Sequence, residues 1–128
     1  MSNVQTIENT VKQLPQVETP TEHFFTEGLY TRQVKLAKGT VAVGKRHKAK
    51  TLNILIEGTM QVTMDDDPDK VVTLKAPMAF ESEAGVKKAV FCVTDCILLN
   101  VHRSDETDLE KLEAEIIEPA DIDMEAIL

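Results

Sequence analysis

The chain has no tryptophan, one tyrosine and four phenylalanines, so it offers few of the aromatic platforms on which single-stranded nucleic acid stacks. Its two cysteines, Cys92 and Cys96, stand in a C-x3-C spacing that matches neither a redox C-x-x-C nor half of a zinc ribbon; two buried, reduced thiols are expected. No apolar run approaches the roughly 18 residues of a membrane span. The polar start MSNVQTIENTVKQ also lacks the basic-then-apolar pattern of an export signal, so a soluble, cytoplasmic protein is expected. Gly-x-Ser-x-Gly, a phosphate-binding glycine loop and His-Glu-x-x-His are all missing, which leaves the common nucleophile and zinc-hydrolase classes without support. The stretch DDDPDKVVTLKA has the carboxylates of a calcium loop but carries Lys70 where the sharp-turn glycine belongs and Ala76 where the bidentate glutamate belongs. It reads as a solvated hairpin loop.

What is present suits one globular domain: 128 residues, of which 42% are hydrophobic. The formal charge of −8 is unevenly spread. From Ser104 to Leu128 ten acidic residues stand against one lysine, Lys111, whereas the first 103 residues carry twelve acids and thirteen bases. Such a tail repels phosphate, so nucleic acid is not an expected partner, and it suits either a solvated helix face or a basic protein partner.

Three regions follow. Residues 1–20, with Pro15 and Pro20 and little periodicity, read as an extended N-terminal arm. Residues 21–103 hold short apolar or alternating runs broken by turn residues, giving candidate strands at 29–36, 40–43, 52–56, 60–64, 71–74, 78–81, 87–93 and 96–101. Glycines in AKGT and EGT and the Thr94-Asp95 pair supply the reversals. So many one-sided apolar strands require a sandwich or barrel. Residues 104–128 form an acidic C-terminal helix and tail: Thr107 to Glu110 offers a capping box, Leu109, Leu112 and Ile116 recur at helical spacing, and Pro119 stops the helix.

Between Lys38 and Val62 the chain reads KGTVAVGKRHKAKTLNILIEGTMQV, and Glu83 to Lys88 reads EAGVKK. The glycine spacing resembles the first and second motifs of the cupin superfamily. Gly39 and Gly58 fall on the two glycines of the first motif, Lys45 and His47 on its two histidines and Thr51 on its glutamate; Gly85 falls on the glycine of the second motif and Lys88 on its histidine. The wider stretch from Glu22 to about Pro119 is similar to small cupin-like proteins of tailed bacteriophages. The resemblance implies an all-β, cupin-like jelly-roll β-barrel with a C-terminal acidic α-helix, a host-cytoplasmic setting and a homodimer.

Most cupin sites hold a metal through neutral imidazoles and a carboxylate. Two of those positions here carry ammonium groups, so neither a metal nor another cofactor is expected. Strand alternation sends Lys45 and His47 to one face and Arg46 and Lys48 to the other. If the frame holds, Lys45, His47 and Lys88 converge in the barrel mouth, where they suit a carboxylate or phosphate. The candidate ligand-binding set is Lys45, His47, Thr51, Lys88 and His102, with no catalytic residue assigned. Arg46, Lys48, Lys50 and Lys87 make the outward basic patch. The first functional reading is a non-catalytic protein that binds a host or phage protein. Its alternatives are a binder of a small anionic ligand such as a nucleotide or sugar phosphate, and a metal-independent isomerase, epimerase or lyase using His47, Lys45 and Tyr30.

Overall fold

A computed structural model describes residues 3–14, 17–64 and 67–119. The chain order is α1 (Asn3–Lys12), β1 (Thr21–Thr26), β2 (Leu29–Leu36), β3 (Val41–Val43), β4 (Thr51–Glu57), β5 (Thr59–Met64), β6 (Asp67–Lys75), β7 (Met78–Ser82), β8 (Ala89–Cys92), β9 (Cys96–Arg103) and α2 (Leu109–Ile116). The strands form two antiparallel sheets, β1-β2-β9-β4-β7 and β3-β8-β5-β6, packed face to face as a jelly roll. The fold class expected from the sequence is the one observed. None of the described helices is long and apolar enough to cross a membrane.

Alternation explains the core. Val34 and Leu36 of β2, Leu55 of β4, Met60 and Val62 of β5, Leu74 of β6, Val90 and Cys92 of β8 and Cys96 and Leu98 of β9 form one buried cluster between the sheets. Cys92 and Cys96 are free thiols, buried as expected. Burial pushes the Cys92 thiol up to about 12, and desolvation also raises Cys96, so neither is a reactive thiolate. Gly58 turns the chain from β4 to β5 at φ +93°. A Cβ built on it would overlap the Asp95 carbonyl oxygen and sit 2.8 Å from Cys96 Sγ, so this turn needs glycine for space as well as for its dihedral.

Residues 3–12 do not belong to an extended arm. Asn3–Lys12 is a helix whose Val4 is fully buried and packs with Val43 and Ala89 while Ile7 and Val11 close over them. The i, i+3, i+7 spacing of Val4, Ile7 and Val11 is helical, but three apolar residues among polar neighbours are a weak signal. The buried face also includes Glu8, which accepts from Lys87 at 2.8 and 3.0 Å. Lys87, expected on the outward patch, is therefore wholly buried. Strand β1 leaves no alternation in the sequence, because it is an edge strand with Phe24 and Phe25 both exposed.

At the other end Asp108, one residue later than the expected capping threonine, caps α2 by accepting from the backbone N–H groups of Glu110 and Lys111. The helix ends at Ile116 with Ile117 as its cap, two residues before Pro119. Leu112 seats it on the sheet. Residues 120–128, the rest of the expected tail, lie outside the described residues.

Candidate functional site

The inner face of the larger sheet is apolar at one end and polar at the other. Registry puts Tyr30 of β2 opposite His102 of β9, Arg32 opposite Asn100, and Asn53 of β4 opposite Asn100. Farther along, Val34 faces Leu98 and Leu55 faces Leu98, which belong to the core. A band of hydrogen-bonding side chains thus crosses the sheet at the barrel mouth. Within it the Asn100 amide donates to Asn53 Oδ1 at 2.6 Å, and the Asn53 amide donates to Ser82 Oγ at 2.6 Å. Asn100 Oδ1 is buried without a partner among the described residues.

Strand β3 stops at Val43, so alternation does not direct residues 44–50 as expected. They run instead as an irregular strap held to the end of α2: His47 bridges Ile117, the Lys48 N–H donates to Ile116 O at 2.8 Å and the Glu118 N–H donates to Arg46 O at 2.9 Å. The strap nonetheless delivers Lys45 and His47 to the barrel. With Lys88, Asn53, Ser82, Phe80 and Asn100 they line an inner cavity of about 30 Å³, room for a few atoms. Lys88 is largely buried with its ammonium 5.1 Å from the centre of the Phe80 ring, and desolvation lowers its amine to about 8. It has no carboxylate or hydrogen-bond partner among the described residues.

Lys45 and His47 also wall a larger cleft, about 250 Å³, between the sheet and α2, together with His23, Tyr30, Arg32, His102 and Glu113. All three histidines of the chain meet here, although no local motif unites them. The His47 ring stands edge-on to His102 with centroids 4.7 Å apart, Tyr30 stacks on His102 at 5.8 Å, and the Tyr30 hydroxyl is 2.6 Å from His23 Nδ1. Burial, reinforced by Arg32, lowers His102 to about 4 and also lowers His23; burial raises the Tyr30 phenol. At neutral pH the His102 imidazole and the Tyr30 phenol are neutral, and Arg32 and Lys45 bring cationic side-chain types to the same cleft. Glu113 of α2 reaches in, with Oε1 3.7 Å from Lys45 Nζ.

Of the expected set, Lys45, His47 and Lys88 therefore meet at one cavity, and His102 meets Lys45 and His47 at the cleft. Thr51 does not join either group: its hydroxyl donates to Ala49 O at 3.1 Å and it lines a separate hollow behind His47 and His102. Lys50, beside that hollow, pairs with Glu81 at 2.8 Å and Glu83 at 3.4 Å. The sequence reading did not include Arg32, Asn53, Asn100 or Glu113. The signal for the first three was present: in LYTRQVKL, TLNILIE and CILLNVHR, Arg32, Asn53 and Asn100 each stand two residues from an apolar residue of the same face, Val34, Leu55 and Leu98.

A metal-holding cupin site needs neutral imidazoles and a carboxylate, and the donor set here does not suit an ion. The inner cavity offers a single imidazole, two amides and two ammonium groups, and no cluster of three or more His, Cys, Asp or Glu side chains able to hold an ion occurs among the described residues.

No sequence-family model matches the chain, and no curated protein is similar to it in sequence. Solved structures are similar in fold. A cupin-2 domain containing protein from Shewanella frigidimarina superposes with TM-score 0.54 at 16% identity, over 80% of this chain and all of its own. A Neisseria meningitidis protein gives 0.56 at 16% identity over 81% of this chain and 99% of that one. The salicylate 1,2-dioxygenase of Pseudaminobacter salicylatoxidans gives 0.62 at 14% identity; the match covers 88% of this chain but 33% of the enzyme.

Proposed function

From a chain with the fold of the cupin barrels, we propose a binder of a small anion, a carboxylate or phosphate, held at the barrel mouth without a metal. The observation that carries this reading is the convergence of Arg32 and Lys45 in one cleft, where the single carboxylate among the lining side chains is Glu113. Arg32 supplies a planar fork and Lys45 a point charge, which together suit the oxygens of such a group. The weakly basic His102 and the Tyr30 hydroxyl add uncharged hydrogen-bonding groups that fix its orientation. Glu113, on α2, occupies the place that a ligand carboxylate takes, so ligand entry exchanges one carboxylate for another.

Calorimetric titration at low salt with inorganic phosphate and with small mono- and dicarboxylates tests the proposal. Binding that weakens about tenfold or more in Lys45→Met and Arg32→Met, both checked for native thermal unfolding, is expected, since one charge-assisted contact contributes about 1.5–3 kcal/mol. Unchanged affinity in both variants, or no binding of any of these anions, rejects it. The alternative, engagement of a host or phage protein, draws its support from the acidic tail.

A further inference from the structure

The inner cavity and the outer cleft share two wall residues, Lys45 and His47, so a ligand whose anionic group lies in the cleft extends past them toward Lys88. We propose that Lys88 is a nucleophilic amine that condenses reversibly with the aldehyde or ketone group of a ligand whose carboxylate or phosphate rests against Lys45 and Arg32. The proposal builds on the anion-binding reading and names the class of ligand.

Three observations carry it. Lys88 is unpaired among the described residues while its neighbour in sequence, Lys87, is fully paired with Glu8, so two adjacent lysines have opposite environments. The cavity at Lys88, about 30 Å³, admits a group the size of a carbonyl and not a whole metabolite, which leaves the remainder of the ligand in the 250 Å³ cleft. Asn100 Oδ1, buried at the wall of the same cavity, is an acceptor with no donor among the described residues. Supporting these, desolvation leaves a substantial neutral fraction of the amine near pH 8, and only the neutral amine is a nucleophile.

The chemistry balances without an oxidant or reductant. The Nζ lone pair attacks the carbonyl carbon and forms the C–N bond while the C=O π pair moves to oxygen. That oxygen gains the proton lost from nitrogen, giving a carbinolamine whose hydroxyl donates to Asn100 Oδ1. Departure of the hydroxyl with the second N–H proton, as water, leaves the imine, and hydrolysis returns ligand and free amine.

Borohydride trapping on the full chain tests this. The protein is incubated with glyoxylate, glycolaldehyde phosphate or uncharged propanal, reduced with cyanoborohydride and mapped by peptide mass spectrometry. Lys88 is expected to be alkylated at least tenfold faster than the exposed Lys38 and Lys75, with a rate rising to half-maximum near pH 8, and faster with the anionic aldehydes than with propanal. A preference for glyoxylate or for the phosphate identifies the anionic group. Lys88 labelled no faster than Lys38 and Lys75 overturns the amine assignment even where phosphate binding by calorimetry persists. Fast labelling of Lys88 by all three aldehydes alike, with no anion binding, overturns the ligand class and the anion-binding reading while the amine stands.

Discussion

The wholly buried Lys87 ammonium lies 2.8 and 3.0 Å from the two carboxylate oxygens of Glu8, a residue 79 positions earlier in the chain. Gln5 donates to the same carboxylate at 2.7 Å, and Lys12 approaches it at 3.8 Å. This pair, set among Val4, Val43 and Ala89, fixes which face of α1 meets the barrel. Removing one partner strips a buried charge of its closest counterion, a cost of up to about 3–5 kcal/mol. Lys87→Met or Glu8→Gln should lower the unfolding free energy by that amount, and Glu8→Leu with Lys87→Met should recover most of it. Chemical unfolding of the three variants measures both effects.

Lys88 should behave in the opposite sense. Its folded-state value of about 8 lies below the ordinary 10.5, so between these values the unfolded chain binds more protons and the lysine's contribution makes stability rise with pH. Below pH 8 the native state bears the full desolvation cost, and Lys88→Met should stabilise by roughly 2–3 kcal/mol at pH 7. That advantage should shrink as pH rises from 8 to 10.5. The difference between wild type and variant across this window cancels the opposing titration of Cys92 and Tyr30.

His102 gives an acid-side test. Burial holds it at about 4, below the ordinary 6.5, so its neutral form is the one the fold accommodates. Its contribution is complete above pH 6.5 and is lost as pH falls from 6.5 toward 4, amounting to about 3 kcal/mol at most. His102→Gln should flatten the pH dependence of unfolding in that interval. A slope equal to that of the wild type would assign the loss to other groups.

Two glycines with similar dihedrals separate space from conformation. Gly39 has φ +84° and nothing within 4 Å of a built Cβ, so Gly39→Ala should cost about 1 kcal/mol from backbone strain alone. Gly58→Ala adds the overlap with the Asp95 carbonyl and the Cys96 sulfur and should cost several times more, enough to expose the β8–β9 turn. Thermal unfolding of the two variants side by side checks the ratio.

The barrel was legible because alternation with turn residues is a direct consequence of two-sheet burial, and β2, β4, β5 and β9 carry it over most of their length. Edge position hid β1, and polar neighbours hid α1. The meeting of Lys45, His47 and Lys88 was visible through the glycine frame, although the intended reason, strand alternation beyond Val43, was not the operative one. The meeting of Arg32 with Glu113 was hidden for a different reason. Their proximity depends on α2 folding back over the sheet, which depends on the backbone bonds from Arg46 and Lys48 to the helix end, and no local pattern encodes those.

The span between Glu8 and Lys87 also orders events in time. A helix of 10 residues is marginal by itself in water. Its anchoring charge cannot be met until Lys87 has been made, and the surface it covers requires β3 and β8 to pair across nearly fifty residues. Helix α1 is therefore unable to dock until most of the barrel has been synthesised, and any change that delays β8 prolongs the exposure of its apolar face.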